Sequence, residues 1–306
     1  MPKQFLNLTG VETLIQTTVR RISPLVPPER IFVATGERYV GLVKEQLPLL
    51  PEKNIIAEIS GKNTAPAIGL GALHIAQAGR DDTMAVLTSD HIIPDEVTFR
   101  QAIQAAVEVA GEEKLVTLGI TPTGPETGFG YIQRGESIGC YHGLDSYTVH
   151  AFLEKPELAM AQKFYESGAY YWNSGMFIWR VSALFEALKK HMPTLSAQLE
   201  RLNEALFNPK STGSVAEIWQ QIAANSIDFG LMEKAEDVAV VPLDAGWNDV
   251  GSWAALYDEL AQEPGQNVAV NANHLSFNCQ GVLVQGVRRK PAFARALKGR
   301  PGHRLE

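Results

Sequence analysis

Short apolar runs alternating with helix-length amphipathic stretches constrain this chain more than any other feature. Residues 11–22 put Leu14, Ile15, Thr18, Val19 and Ile22 on one helical face, and Pro24, Pro27 and Pro28 stop the helix. A strand over 31–35 follows, then a helix over 37–47 ended by Pro48 and Pro51, then a strand over 54–59. The rhythm repeats with a helix from Asn63 or Thr64 through Ile75, a strand over 84–87, a helix over 99–109 and a strand over 115–120. Strands alternating with helices predict an α/β fold with a mostly parallel sheet. Further along, 147–153 reads as a strand, 156–167 as a helix, 184–206 as helix broken at Pro193, 215–233 as helix and 238–243 as strand. From Gly265 the pattern changes to short β-like pieces at 268–270 and 282–284.

A chain of 306 residues can hold one large domain or two smaller ones. The net charge of -7 argues against general nucleic-acid binding, which needs a basic face. No apolar run is long enough to cross a bilayer, and Met1-Pro2-Lys3-Gln4-Phe5 is not followed by a signal-peptide core, so the expected location is cytoplasmic. Cys140 and Cys279 are the only cysteines, too few for a disulfide framework or a cysteine-built zinc cluster.

Carboxylates at strand ends are the first candidate site residues. Met84-Ala85-Val86-Leu87 runs into Thr88-Ser89-Asp90-His91, which puts Asp90 near the carboxyl end of a buried strand, where open α/β sheets bind ligands. There it can hold a metal over a phosphate or cap the next turn, and the local sequence weighs the two equally. Gly246-Trp247-Asn248-Asp249-Val250-Gly251 repeats the arrangement after the 238–243 strand and makes Asp249 a second metal ligand. Asn63 and Thr64 open a helix whose amino end suits an anion, although an ordinary cap explains them as well. The Gly- and Pro-rich stretch 121–131 is a loop in which Glu126 either meets a ligand or sits in a surface turn. Its Gly128-Phe129-Gly130 lacks the third glycine and following helix of a dinucleotide fingerprint. Glu154 and Lys155 are expected on opposite faces of a strand end, with one of them looking into the cleft, rather than as merely a surface pair with each other. The aromatic run around Asn173, Tyr170 to Phe177, suits a sugar wall or a hydrophobic cluster beneath a loop.

Seven segments taken together resemble the mannose-1-phosphate guanylyltransferase (GDP-mannose pyrophosphorylase) family from residue 2 to about residue 260. They are Pro2-Lys3-Gln4-Phe5-Leu6, Gly61-Lys62-Asn63-Thr64-Ala65-Pro66-Ala67, Ser89-Asp90-His91, and Glu126-Thr127-Gly128-Phe129-Gly130-Tyr131-Ile132. Phe152-Leu153-Glu154-Lys155-Pro156, Trp172-Asn173-Ser174-Gly175-Met176-Phe177 and Gly246-Trp247-Asn248-Asp249-Val250-Gly251-Ser252 complete the set. The resemblance implies a Rossmann-like nucleotidyltransferase core over 1–264, a β-type extension over 265–306, and synthesis of GDP-mannose and pyrophosphate from GTP and mannose 1-phosphate with Mg²⁺. It implies that Asp90 and Asp249 hold the metal and Lys3 contacts phosphate, making these three the catalytic set. Asn63, Thr64, Ser89 and Asp90 would lie near the nucleotide. Glu126, Gly130, Glu154 and Asn173 would hold the sugar and Lys155 its phosphate, with a homodimer as the candidate assembly. His91 reads as structural rather than as a base. A sugar phosphate is already a nucleophile, so positioning and charge neutralisation suffice for the chemistry.

The sequence departs from the family in two places. Family members carry a strand and a Gly-rich loop shortly before the Pro-Lys-Gln-Phe segment, with which this chain opens. Absence of that strand and loop would leave unpaired sheet edges and impair transfer, and the expectation is an N-terminally incomplete domain with little activity by itself. The second departure is the basic stretch 287–306, expected to be a disordered or altered tail rather than a nucleic-acid or membrane contact. The alternative function is a non-catalytic sugar-nucleotide-binding or regulatory subunit. A glycosyltransferase on a similar core is more remote.

Overall fold

The apolar runs fold as strands and the amphipathic stretches as helices in a computed structural model that describes residues 1–8, 10–77, 81–286 and 291–295, with backbone alone at 273–276 and 291–295. In chain order the first elements are α1 (Leu14–Ile22), β1 (Val33–Gly36), α2 (Val40–Gln46), β2 (Ile55–Glu58), α3 (Thr64–Ala76), β3 (Thr83–Val86), α4 (Glu96–Ala110) and β4 (Leu115–Ile120). Then come β5 (Tyr131–Tyr141), β6 (Leu144–Leu153), α5 (Leu158–Ser167), β7 (Tyr170–Arg180), α6 (Val181–His191), α7 (Pro193–Phe207), α8 (Val215–Gln221) and β8 (Val238–Leu243). The last are α9 (Trp253–Leu260), β9 (Val268–Val270), β10 (Asn273–Phe277), β11 (Leu283–Gln285) and β12 (Pro291–Arg295). The chain forms two compact units, a smaller one of residues 1–18, 89–92 and 248–306 and a larger one of residues 19–88 and 93–247.

In the larger unit a six-stranded mixed sheet runs in the order β3-β7-β4-β8-β6-β5. β4 and β8 are parallel neighbours, while β7 runs antiparallel between β3 and β4. The fold class read from the alternation is therefore present, with β7 making the sheet mixed. Period-two alternation distributes these strands over two cores. Phe177, Trp179, Val238 and Val240 face one cluster with Ile68, Leu188 and Trp219, whereas Met176, Ile178, Ala239 and Val241 face another with Phe99, Ile103 and Leu118. β4 is buried at every position, as a continuous apolar run between two cores must be.

β5 and β7 are additions to the sequence reading, which left 131–141 unassigned and took the aromatic run as a wall or cluster. In β7 the polar triplet Asn173-Ser174-Gly175 interrupts the apolar pattern, and the register against β4 shifts between Thr117 and Gly119. Gly119 is required there, because a β-carbon would lie 2.6 Å from Val240 Cγ2 and 2.8 Å from Tyr171 Cβ. Gly119→Ala is therefore expected to destabilise the larger unit by about 1–3 kcal/mol in denaturant melts through overpacking.

The helix expected over 215–233 stops at Gln221. Residues 225–227 are instead drawn to the start of α3: Asn225 N–H donates to the Lys62 carbonyl (3.1 Å), Ala65 N–H to the Asn225 carbonyl (3.1 Å), and Ile227 N–H to Thr64 Oγ1 (2.8 Å). These bonds use backbone groups that a continuous helix would need. A single wide turn over Asp228–Met232 follows.

β1 pairs in parallel with β2 and, among the described residues, β1 and β3 have no strand on their other edge. Ala34 and Ala85 on these strands are exposed.

The smaller unit has its own apolar cluster of Leu8, Leu14, Val250 and Leu256, with Ile92 and Leu283 packed against it. β9 pairs in parallel with β11, and β10 with β12. Residues 287–290 and 296–306, most of the basic tail, lie outside the described residues.

Candidate functional site

The smaller unit contains four of the expected site residues, Lys3, Ser89, Asp90 and Asp249. Reciprocal backbone bonds between Ile92 and Asn248, both 2.9 Å, hold the 89–92 segment beside the 248–250 turn. Lys3, in a single 3-10 turn, reaches both. Its Nζ lies 3.1 Å from Asp90 Oδ2 and donates to the carbonyls of Asp249 (2.5 Å) and Val250 (3.2 Å). Val250 has φ 48°, which a β-branched residue rarely adopts and which marks a turn held by its surroundings. Asp249 Oδ1 accepts from Gly251 N–H at 3.1 Å. Ser89 sits in the same bend as Asp90. Asp90 does not cap α4; Asp95 does, accepting from the N–H groups of Val97 (3.1 Å) and Thr98 (3.0 Å). His91 is buried, with Nε2 3.8 Å from Asp90 Oδ1.

Asp90 and Asp249 offer hard oxygen donors on two segments joined by the Ile92–Asn248 pairing. Mg²⁺ is commonly held by one or two carboxylates together with waters and substrate phosphates, so Asp90 and Asp249 fit it in type. Among the described residues no cluster of three or more His, Cys, Asp or Glu could form an all-protein metal cage.

The larger unit brings Glu154, Lys155 and Asn173 together around Gly130, which directly precedes β5, while Asn63 and Thr64 lie apart at the start of α3. Asn173 N–H donates to the Gly130 carbonyl at 2.8 Å, and a β-carbon on Gly130 would strike Glu154 Oε2 and lie 3.2 Å from Asn173 Cβ. Glu154 is only 11% exposed, and its Oε2 is buried without a protein hydrogen-bond partner. Glu154 N–H donates to Glu233 Oε1 at 3.2 Å. The Asn173 side chain donates from Nδ2 to Asp228 Oδ1 (2.8 Å) and accepts at Oδ1 from Gly175 N–H (3.0 Å). Asp228 was not legible as a site residue, since it fell inside the expected helix; Asn225-Ser226 and Gly230 are the cap, turn and breaker residues that could have flagged it.

One expectation is corrected here. Glu154 and Lys155 do pair, Oε1 to Nζ at 3.2 Å. The strand ends at Leu153, so its facing rule no longer applies, and Lys155 at φ 47° turns the ammonium back over the carboxylate. Glu126 is exposed in the loop after β4, where its carbonyl accepts from the Tyr131 hydroxyl at 2.9 Å. The aromatic run packs: Trp172 is buried and meets Phe129 edge-on at 5.0 Å, and Tyr170 stacks on Phe164 at 4.1 Å. Asn63 caps α3 by accepting from Thr64 N–H at 2.8 Å.

Burial pushes the Glu154 carboxyl above the usual carboxylate range, the Asp228 charge pushes the same way, and Lys155 partly offsets both. Burial raises Asp228 too, against the hydrogen bond from Asn173. A carboxyl raised on folding contributes stability that is full below its unfolded value and lost as pH rises through its folded value. At neutral pH the ionised Glu154 therefore costs stability. Glu154→Gln is expected to raise the melting temperature at pH 7, with the gain shrinking as the pH falls through the carboxylate range.

Residues 1–264 match the family model described as nucleotidyl transferase. Xanthan biosynthesis protein XanB of Xanthomonas campestris pv. campestris (strain B100) is 41% identical over 290 residues, covering 94% of this chain and 60% of that protein. Mannose-1-phosphate guanylyltransferase of Escherichia coli (strain K12) is 42% identical over 272 residues, 87% of this chain and 57% of that protein. The chain thus spans about 60% of the length of the curated relatives it matches. A crystal structure described as mannose-1-phosphate geranyltransferase from Thermus thermophilus superposes with TM-score 0.82 at 32% identity, over 94% of this chain and 80% of that one. On the match over residues 1–264, the chain belongs to the nucleotidyl transferase family.

Proposed function

We propose that the chain carries the transfer region of a mannose-1-phosphate guanylyltransferase, joining GTP and mannose 1-phosphate into GDP-mannose and pyrophosphate. The arrangement around Gly130 carries this reading. A buried, unpartnered Glu154 oxygen accepts from a sugar hydroxyl, the Asn173 amide offers a donor beside it, and exposed Lys155 supplies a cation for the sugar's phosphate. Glu126 closes on the sugar from its loop. Asn63 and Thr64, at the amino end of α3, and Ser89 serve the nucleotide.

Asp90 and Asp249 would hold Mg²⁺, which when bound neutralises charge on the transferring phosphoryl group. Lys3 orients Asp90 through their ion pair and is placed to exchange that carboxylate for a phosphate oxygen. No general base is needed, because the attacking phosphate is already anionic. Residues 1–264 form the transfer domain, followed by the short strands β9 to β12, in a cytoplasmic enzyme that assembles as a homodimer. Among the described residues no helix is long and apolar enough to cross a membrane.

Titrating the chain with mannose 1-phosphate and with GDP-mannose, separately from a turnover assay, tests the reading. Binding of both ligands is expected. Binding of GDP-mannose with no transfer, even in a chain preceded by a Gly-rich phosphate loop, would favour a non-catalytic sugar-nucleotide-binding subunit. Gly130→Ala, which drives a methyl group into Glu154 Oε2, is expected to weaken mannose 1-phosphate binding by about tenfold or more while leaving the fold intact.

A further inference from the structure

The Asn173 amide can serve a sugar only if its orientation is fixed, because a flipped amide exchanges donor for acceptor. Two bonds fix it. Nδ2 donates to Asp228 Oδ1 and Oδ1 accepts from Gly175 N–H, and no flipped amide satisfies a carboxylate and an N–H at once. Thr117 Oγ1 on β4 also lies 3.5 Å from Asn173 Oδ1, but a hydroxyl can donate or accept and does not distinguish the two orientations; Gly175 N–H belongs to the backbone of β7 itself, so the discriminating partner from another element is Asp228.

Asp228 is itself held. It begins the wide turn over Asp228–Met232, directly after the residues whose backbone is tied to Lys62, Thr64 and Ala65 at the start of α3. Burying that carboxylate is costly, and its charge raises the neighbouring Glu154 further. A group kept at such cost beside a candidate binding pocket points to a functional role.

We propose that Asp228 is the positioning residue of the sugar pocket. It accepts one Nδ2 hydrogen of Asn173, so that the other hydrogen, next to the Glu154 Oε2 acceptor, presents a donor and an acceptor to hydroxyl groups of a sugar phosphate. The proposal rests on the sugar-pocket reading above. It deepens that reading by assigning the amide's orientation to a residue that does not touch the sugar.

The test compares the 306-residue chain with Asp228→Ala and Asp228→Asn by calorimetric titration with mannose 1-phosphate, alongside thermal melts and the side-chain amide resonances of Asn173. Asp228→Asn keeps an acceptor oxygen without the charge, and its affinity is expected within about threefold of the parent chain. Asp228→Ala removes the acceptor and is expected to bind about 10- to 100-fold more weakly, with altered Asn173 amide shifts in the folded protein. Equal affinity of the Ala variant and the parent, or equal losses in the Ala and Asn variants, would overturn the role of Asp228 and leave the sugar pocket standing. Failure of the parent chain to bind mannose 1-phosphate would overturn the pocket and Asp228's role together.

Discussion

Asp249→Asn, introduced into a chain in which the family's strand and Gly-rich loop precede Met1, is expected to lower Mg²⁺-dependent GDP-mannose formation by about a thousandfold without changing the melting temperature. The size follows from the several kcal/mol that a metal contributes to neutralising a phosphoryl transition state. Its selectivity follows from the position of the side chain. Among the described residues Asp249 Oδ1 accepts from the local Gly251 N–H, which an amide oxygen can also accept, and the Lys3 bonds in this turn go to backbone carbonyls. The turn is therefore expected to survive the loss of a carboxylate that is proposed to bind the metal. Steady-state kinetics over a range of Mg²⁺ concentrations check this, and unchanged kinetics would remove Asp249 from the metal set.

The largest effect on stability is expected from Trp179→Ala, about 3–5 kcal/mol in denaturant unfolding, the usual loss when a large buried aromatic is truncated in a core that relaxes only in part. Trp179 is fully buried, stacks on Phe177 at 5.4 Å, and lies on β7, which joins β3 to β4. A truncation there opens a cavity against the strand that holds two parts of the sheet together. A loss below about 1 kcal/mol would mean that this core collapses around the gap.

The elements easiest to read were those whose sequence obeys a single period. β4 is an unbroken apolar run, and α3, α4 and α5 carry cap or Pro signals near their starts. β7 was harder, because a strand buried on both faces and crossed by Asn173-Ser174-Gly175 shows neither alternation nor a clean apolar run. The 215–233 stretch misled for a different reason. Its composition suits a helix, but tertiary bonds to Lys62, Thr64 and Ala65 claim the backbone at 225–227.

The site divides the same way. Asp90 and Asp249 could be named as candidates because a carboxylate in a turn after a strand lies where α/β sheets bind ligands, although Asp is also a common turn residue. Lys3 was visible only through resemblance, since nothing near the start of a sequence reveals that an ammonium will bridge Asp90 and the 249–250 turn. Asp228 was invisible, because its role depends on which amide it meets across 55 residues of chain. The strained backbone at Asn63, Lys155 and Val250, all at or beside candidate site residues, likewise follows from packing rather than from any local signal.

Product analysis tests the central claim most directly. The chain, joined to a Gly-rich loop ahead of Met1, is incubated with Mg²⁺ and GTP together with either mannose 1-phosphate or glucose 1-phosphate, and nucleotide sugars and pyrophosphate are quantified. The account predicts GDP-mannose and pyrophosphate in equal amounts from mannose 1-phosphate, with formation abolished by chelating the metal. Transfer to glucose 1-phosphate with none to mannose 1-phosphate, or pyrophosphate release that continues without a metal, would contradict it.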